Sequence, residues 1–264
     1  MKNAVLVSVA LVAIILASGA QVQHAREEGP IEIDKCQTIS QPGSYKLVSN
    51  LAMTGGNGCL LVTAGGVTID LAGFSIIGQQ AGGAGVHADP FLRGISVRNG
   101  SISGFVEGVE LAASSGSIVE GIRVSDTPGQ QNGGSGIIAQ GIVKGNTVSG
   151  MNIGIQGFSG TIADNYVENF TDGISAQEGS TLIGNTVINN NATDRTAGLL
   201  VLCPANVTNN TATGSTNNLV LVGDGCNNTN NPKSGSWGIA CSGRIGGTIG
   251  DGPLSSSAFA SPCG

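Results

Sequence analysis

Past residue 20, apolar residues fall at every second position in short runs of three to five, and no run keeps the 3.6-residue spacing of an amphipathic helix. Valine, isoleucine and leucine alternate with Ser, Thr, Asn and Gly, as strands with one buried side do. The runs themselves repeat. Gly145-Asn146-Thr147-Val148, Asp164-Asn165-Tyr166-Val167, Gly184-Asn185-Thr186-Val187 and Asn209-Asn210-Thr211-Ala212 carry their second asparagine-position residues 19, 20 and 25 residues apart. A second marker keeps the same step: Gly108-Val109, Gly136-Ile137, Gly154-Ile155, Gly173-Ile174 and Gly198-Leu199.

A period of this length implies stacked coils rather than a globular core. Each coil holds two or three short strands, and the leucine-asparagine consensus of a leucine-rich repeat is absent. These features predict an all-β fold, a right-handed parallel β-helix of about 8–10 coils, the hand following from the chirality of parallel crossovers. The asparagines are expected at the bends, in left-handed backbone, each bonded to its copy one coil away. The 44 glycines show no collagen triplet and are assigned to turns.

The first twenty residues differ from the rest. Lys2, an apolar stretch from Ala4 to Ala17 broken only by Ser8, and the small residues Ser18-Gly19-Ala20 predict a signal peptide over 1–20. An exposed leader is expected over 21–35, the β-helix over 36–225 and a C-terminal cap over 226–264. Without Lys2 the remaining 244 residues carry a formal charge of −7 and have no basic cluster. That balance argues against nucleic acid as a partner, and no later segment is long and apolar enough for membrane insertion after processing. The expected product is a secreted, extracellular or periplasmic monomer.

Six cysteines lie in the exported part, an even number that suits disulfides in an oxidising compartment. Cys36 to Cys59 is 23 residues, Cys203 to Cys226 is 23, and Cys241 to Cys263 is 22, each close to one coil. Parallel stacking holds residues one coil apart about 4.8 Å from each other, within disulfide reach. These three pairs are therefore predicted, the last two stapling the C-terminal cap. With no Cys-x-x-Cys pair and two histidines, no metal or other cofactor is expected.

Val67-Thr68-Ile69-Asp70-Leu71-Ala72-Gly73-Phe74-Ser75-Ile76, followed by Val97-Arg98-Asn99-Gly100-Ser101-Ile102, resembles the opening coils of the pectin lyase-like superfamily. The resemblance spans roughly residues 36–225 and implies a right-handed parallel β-helix. It also implies an extracellular polysaccharide as partner, because the family includes pectate lyases, polygalacturonases, alginate lyases and epimerases. The chain lacks the motifs of these enzymes. It has no Asn-Thr-Asp, Asp-Asp, Gly-His-Gly or Arg-Ile-Lys, and no Arg-x-Pro-x-x-Arg. Where the epimerases carry Asp-Pro-His, Asp89-Pro90 is followed by Phe91. The resemblance therefore favours a protein that binds or scaffolds extracellular carbohydrate, with a lyase, epimerase or glycoside hydrolase acting on an acidic polysaccharide as the alternative.

The repeat allows candidate chemistry to be located by register. Taking Val109, Ile137, Ile155, Ile174 and Leu199 as inward, the adjacent outward column reads Glu110, Ile138, Gln156, Ser175, Leu200; a second reads Arg123, Thr147, Tyr166, Thr186, Thr211. A third, Ser125, Ser149, Glu168, Ile188, Thr213, completes the set, and no column pairs two acids as glycoside hydrolysis requires. One coil earlier, His87 is expected beside Glu110, with Asp89 on the same side. Arg93, Arg98 and Arg123 come from the neighbouring coils. His87, Glu110 and Arg123 are thus the candidate catalytic groups, a base, its orienting carboxylate and a cation, while Asp89, Arg93 and Arg98 are candidate substrate-binding groups. Asp70, in Asp-Leu-Ala-Gly, is read as a bend-closing residue.

Overall fold

The computed structural model describes residues 29–126, 134–190, 196–223, 226–229 and 237–240, and none of these is helical. The strands stack in three columns, which we call faces A, B and C, and the pairings between neighbouring coils are parallel. Face A runs from Gln37–Ile39 and Gly58–Val62 through residues 84–88, 107–111, 135–139 and 153–157 to Asp172–Ala176, Ala197–Leu202, Asn217–Val222 and Trp237–Ala240. Face B begins at Ile31–Ile33 and Gly43–Leu47, passes Val67–Asp70, and ends at Asn206–Thr208 and Asn227–Thr229. Face C runs from Leu51–Thr54 through Thr147–Ser149 and Tyr166–Glu168 to Thr211–Thr213. The span Ser96–Ser125 winds continuously from one face to the next. Among the described residues ten strands stack on face A, in keeping with the 8–10 coils expected.

The core is a narrow stack of aliphatic rungs. Val86, Val109, Ile137, Ile155, Ile174, Leu199 and Leu221 are all at most 1% exposed, and they belong to successive coils of face A. The register follows the columns derived from sequence: Val109 pairs with Ile137, Ile137 with Ile155, Ile155 with Ile174 and Ile174 with Leu199. Arg123, Thr147, Tyr166, Thr186 and Thr211 align in the same way on face C. Tyr45, buried at 6%, satisfies its hydroxyl by donating to the Gln41 carbonyl at 2.9 Å.

Two assignments are refined by the coordinates. The repeated asparagines are not the left-handed residues. The left-handed positions are the ones before them, Gly145, Asp164, Gly184 and Asn209, with φ of 64, 54, 68 and 55°, and this lets each asparagine turn inward. Asn146, Asn165, Asn185 and Asn210 are 1–2% exposed. Asn146, Asn165 and Asn185 each pass a side-chain N–H to the next Oδ1, at 3.0, 2.9 and 2.8 Å, and give the other N–H to a carbonyl such as Val143 O at 2.9 Å, while Asn210 at the end of the ladder donates to Leu182 O and Thr208 O, both at 3.0 Å. The ladder is thereby fully paired inside the core.

The glycines are likewise not all in turns. Gly85, Gly108, Gly136, Gly154, Gly173 and Gly198 stand in strands, and a Cβ on any of them would collide with the backbone oxygen of the next coil: Gly154 O lies 2.6 Å from the position it would take on Gly136.

At the N-terminal end, Ile31–Ile33 pairs with residues 45–47 and Ile33 is fully buried, so this part of the expected leader belongs to the first coil. Two disulfides hold neighbouring coils, Cys36–Cys59 with Cα atoms 4.5 Å apart and Cys203–Cys226 with Cα atoms 5.0 Å apart. Residues 1–20, and Cys241 and Cys263 of the expected cap, lie outside the described residues, whereas Asn227–Thr229 and Trp237–Ala240 of that segment continue faces B and A.

Candidate functional site

The groove that brings titratable groups together lies on the N-terminal half of face A. It encloses about 530 Å³ and is lined by Cys36, Thr38, Asn57, Leu61, His87 and Glu110 among others. His87 pairs in register with Glu110. Its Nδ1–H donates to Glu110 Oε2 at 2.7 Å, with both side chains about one-third exposed. Accepting that hydrogen bond fixes the imidazole tautomer and leaves Nε2 as the nitrogen open to a ligand. A pair this exposed contributes under about 1 kcal/mol to stability. Its consequence is positional.

A third titratable group, Glu107, stands near this pair without lining the groove, and the outward columns of the repeat do not reveal it. In a regular strand residues three apart face opposite sides. Here both Gly108 and Val109 are buried, because the missing Cβ of Gly108 lets the chain bend inward against Gly136 O and Val124. Glu107 and Glu110 therefore share the outer surface of one strand. Partial burial raises the Glu107 carboxyl above the ordinary glutamate value, and repulsion from Glu110 adds to the rise while His87 opposes it. The strand thus carries one carboxyl biased towards its neutral form and one that is hydrogen-bonded to an imidazole. The repeated glycine–aliphatic pair, buried at both positions in coil after coil, is the sequence signal that could have revealed this.

The expected gathering of arginines around His87 does not form. Arg98 lies on face B, where its Nε donates to Asp70 Oδ2 at 3.2 Å. That outward column alternates in sign, Lys46 pairing with Asp70, Asp70 with Arg98, and Glu120 with Lys144. Arg123 lies on face C and lines a separate shallow groove of about 340 Å³ with Asn99, Ser101 and Thr147. Arg93 is exposed on the bend between faces A and B, where it bridges Ser115 through the backbone. Asp89 is half-buried at the end of the His87 strand, its N–H donating to Val62 O at 2.9 Å. Asp70 closes its bend as expected, Oδ1 accepting the Ala72 N–H at 2.8 Å. Among the described residues no group of three or more His, Cys, Asp or Glu is placed to hold a metal ion.

No family model matches the chain, and neither does any curated protein. Among solved structures, a mutant of the periplasmic alginate epimerase AlgG is similar at 12% identity and a TM-score of 0.38, with 77% of this chain and 76% of that chain covered. The Dettilon tailspike protein is similar at 12% identity and a TM-score of 0.38; the match covers 81% of this chain and 61% of the tailspike chain. The fold assignment rests on the parallel pairing itself.

Proposed function

We propose that this protein binds a neutral polysaccharide along face A, with sugar hydroxyls engaged by His87, Glu107 and Glu110. The observation that supports this reading most is the presence of these three groups on one outward surface beside an open groove. Neutral and charged carboxyls with an imidazole supply both donors and acceptors, as a ligand made of hydroxyl groups requires. The charge balance favours a neutral ligand over a uronate. Two glutamates flank one histidine, whereas Arg98 and Arg123, cations that an acidic sugar would call for, stand on other faces. The two disulfides are consistent with a periplasmic or extracellular setting.

The raised Glu107 carboxyl supports a second reading, cleavage of the bound glycan. Glycoside hydrolysis uses two carboxyls whose environments separate their proton affinities, one giving a proton to the leaving oxygen and the other acting as carboxylate. Glu107 would be the proton donor and Glu110 the carboxylate. Calorimetric titration with neutral and uronate hexasaccharides tests the binding, and an assay of reducing ends in the same samples tests the cleavage. The expected result is binding of a neutral hexasaccharide that weakens at least tenfold in His87→Ala and in Glu110→Gln. Any cleavage should vanish in Glu107→Gln. A preference for the uronate, or unchanged affinity in both binding variants, would refute the proposal.

A further inference from the structure

The bend that leaves the His87 strand, Asp89-Pro90-Phe91-Leu92-Arg93, carries a ring that neither the core nor the pocket uses. Phe91 is 89% exposed, whereas the next most exposed large hydrophobic among the described residues, Ile31, is 52%. The other phenylalanines of this half of the chain turn inward: Phe105 is 2% exposed and Phe74 packs against the core. Phe91 also takes a left-handed backbone, with φ of 67°, a conformation unfavourable for a residue with a Cβ and rare for an aromatic one. It is held there from the next coil. Its N–H donates to Ala113 O at 3.0 Å, three residues beyond Glu110. An aromatic side chain is thus held in water by a backbone that glycine would occupy with less strain, a combination that marks functional positions.

We propose that Phe91 is a stacking platform for a pyranose ring, one subsite beyond His87 and Glu110 on the same glycan. This inference rests on the glycan-binding reading. One face of a hexose presents axial C–H groups, which suit the negative face of an aromatic ring, while its equatorial hydroxyls stay at the edge. Asp89 and Arg93 flank the ring on this bend and offer an acceptor and donors to those hydroxyls. Phe91 stands four positions after His87, so strand rise limits the distance between their Cα atoms to about 13 Å, within the reach of a short oligosaccharide. A protein or membrane contact would call for a contiguous apolar patch. Here the exposed apolar neighbours of the ring are the small residues Pro90 and Ala113, Leu92 is half-buried, and the charged Asp89 and Arg93 bound the bend.

The test is calorimetric titration of the full chain with β-linked hexamers of glucose, mannose and xylose and with a uronate hexamer, in the parent, Phe91→Ala, Phe91→Leu and Phe91→Trp. The parent is expected to bind a neutral hexamer. Phe91→Ala and Phe91→Leu should weaken it at least tenfold, whereas Phe91→Trp should stay within about twofold or bind more tightly. The thermal midpoint of Phe91→Ala should not fall, since an exposed ring is all that is lost. If the parent binds and Phe91→Ala and Phe91→Leu bind equally well, the platform is wrong and the glycan reading stands. If the parent binds none of the hexamers, both fall together.

Discussion

Glu107 shows how much of the chemistry depends on one side chain's surroundings. Its neighbours raise its proton affinity in the folded state, so folding favours the protonated form. The stabilisation is complete below the ordinary glutamate range, near pH 4, and is lost as pH rises through the elevated folded value. Glu107→Gln should therefore melt higher than the parent at neutral pH and with it near pH 3.5, as thermal unfolding across that interval would record. An equal difference at both pH values would mean that Glu107 is not perturbed.

Asn165 is the corresponding structural case. Asn165→Ala would leave the Asn146 N–H groups and Val143 O without their partner inside the core, at a cost of about 2–4 kcal/mol. A midpoint lowered by roughly 5 to 15 °C is expected for a chain of this size. The Asn ladder was legible from spacing alone, because stacking brings equal residues into contact. Glu107 was not, since its exposure depends on a local departure from strand alternation that a two-residue period does not encode.

At the scale of the element, that departure is the glycine–aliphatic pair. In six successive coils of face A, from Gly85 to Gly198, a glycine without Cβ lets the backbone pass close to the next coil, and the following aliphatic residue fills the core. Gly136→Ala would push a methyl group to 2.6 Å from Gly154 O and against Val148. Neither neighbour is the free end of a flexible side chain. A loss of about 3 kcal/mol or more is expected, measured by urea unfolding, and a neutral result would show that the coils can separate without cost. The two described disulfides were legible for the same reason as the asparagines, one coil of sequence between partners. The glycine strands were not, because a glycine needed for close approach reads in sequence like a glycine in a turn.

At the scale of the molecule, a three-sided solenoid separates residues that a linear reading places together. His87, Arg98 and Arg123 are close in sequence, yet the winding assigns them to faces A, B and C, one each. Strand columns could be aligned from the repeat, but which columns share a face depends on where each bend falls. Bends such as residues 89–94 vary in length from coil to coil. The consequence is chemical asymmetry: face B carries an alternating charge column, face C is mostly threonine and serine, and face A holds the groove with His87 and Glu110. Amide chemical-shift mapping of the labelled protein against a neutral hexasaccharide tests this assignment most directly. The account predicts shifts concentrated at Thr38, Leu61, His87, Glu107 and Glu110 and along the Asp89–Arg93 bend, whereas shifts centred on face B or face C, or no shift with any glycan, would contradict it.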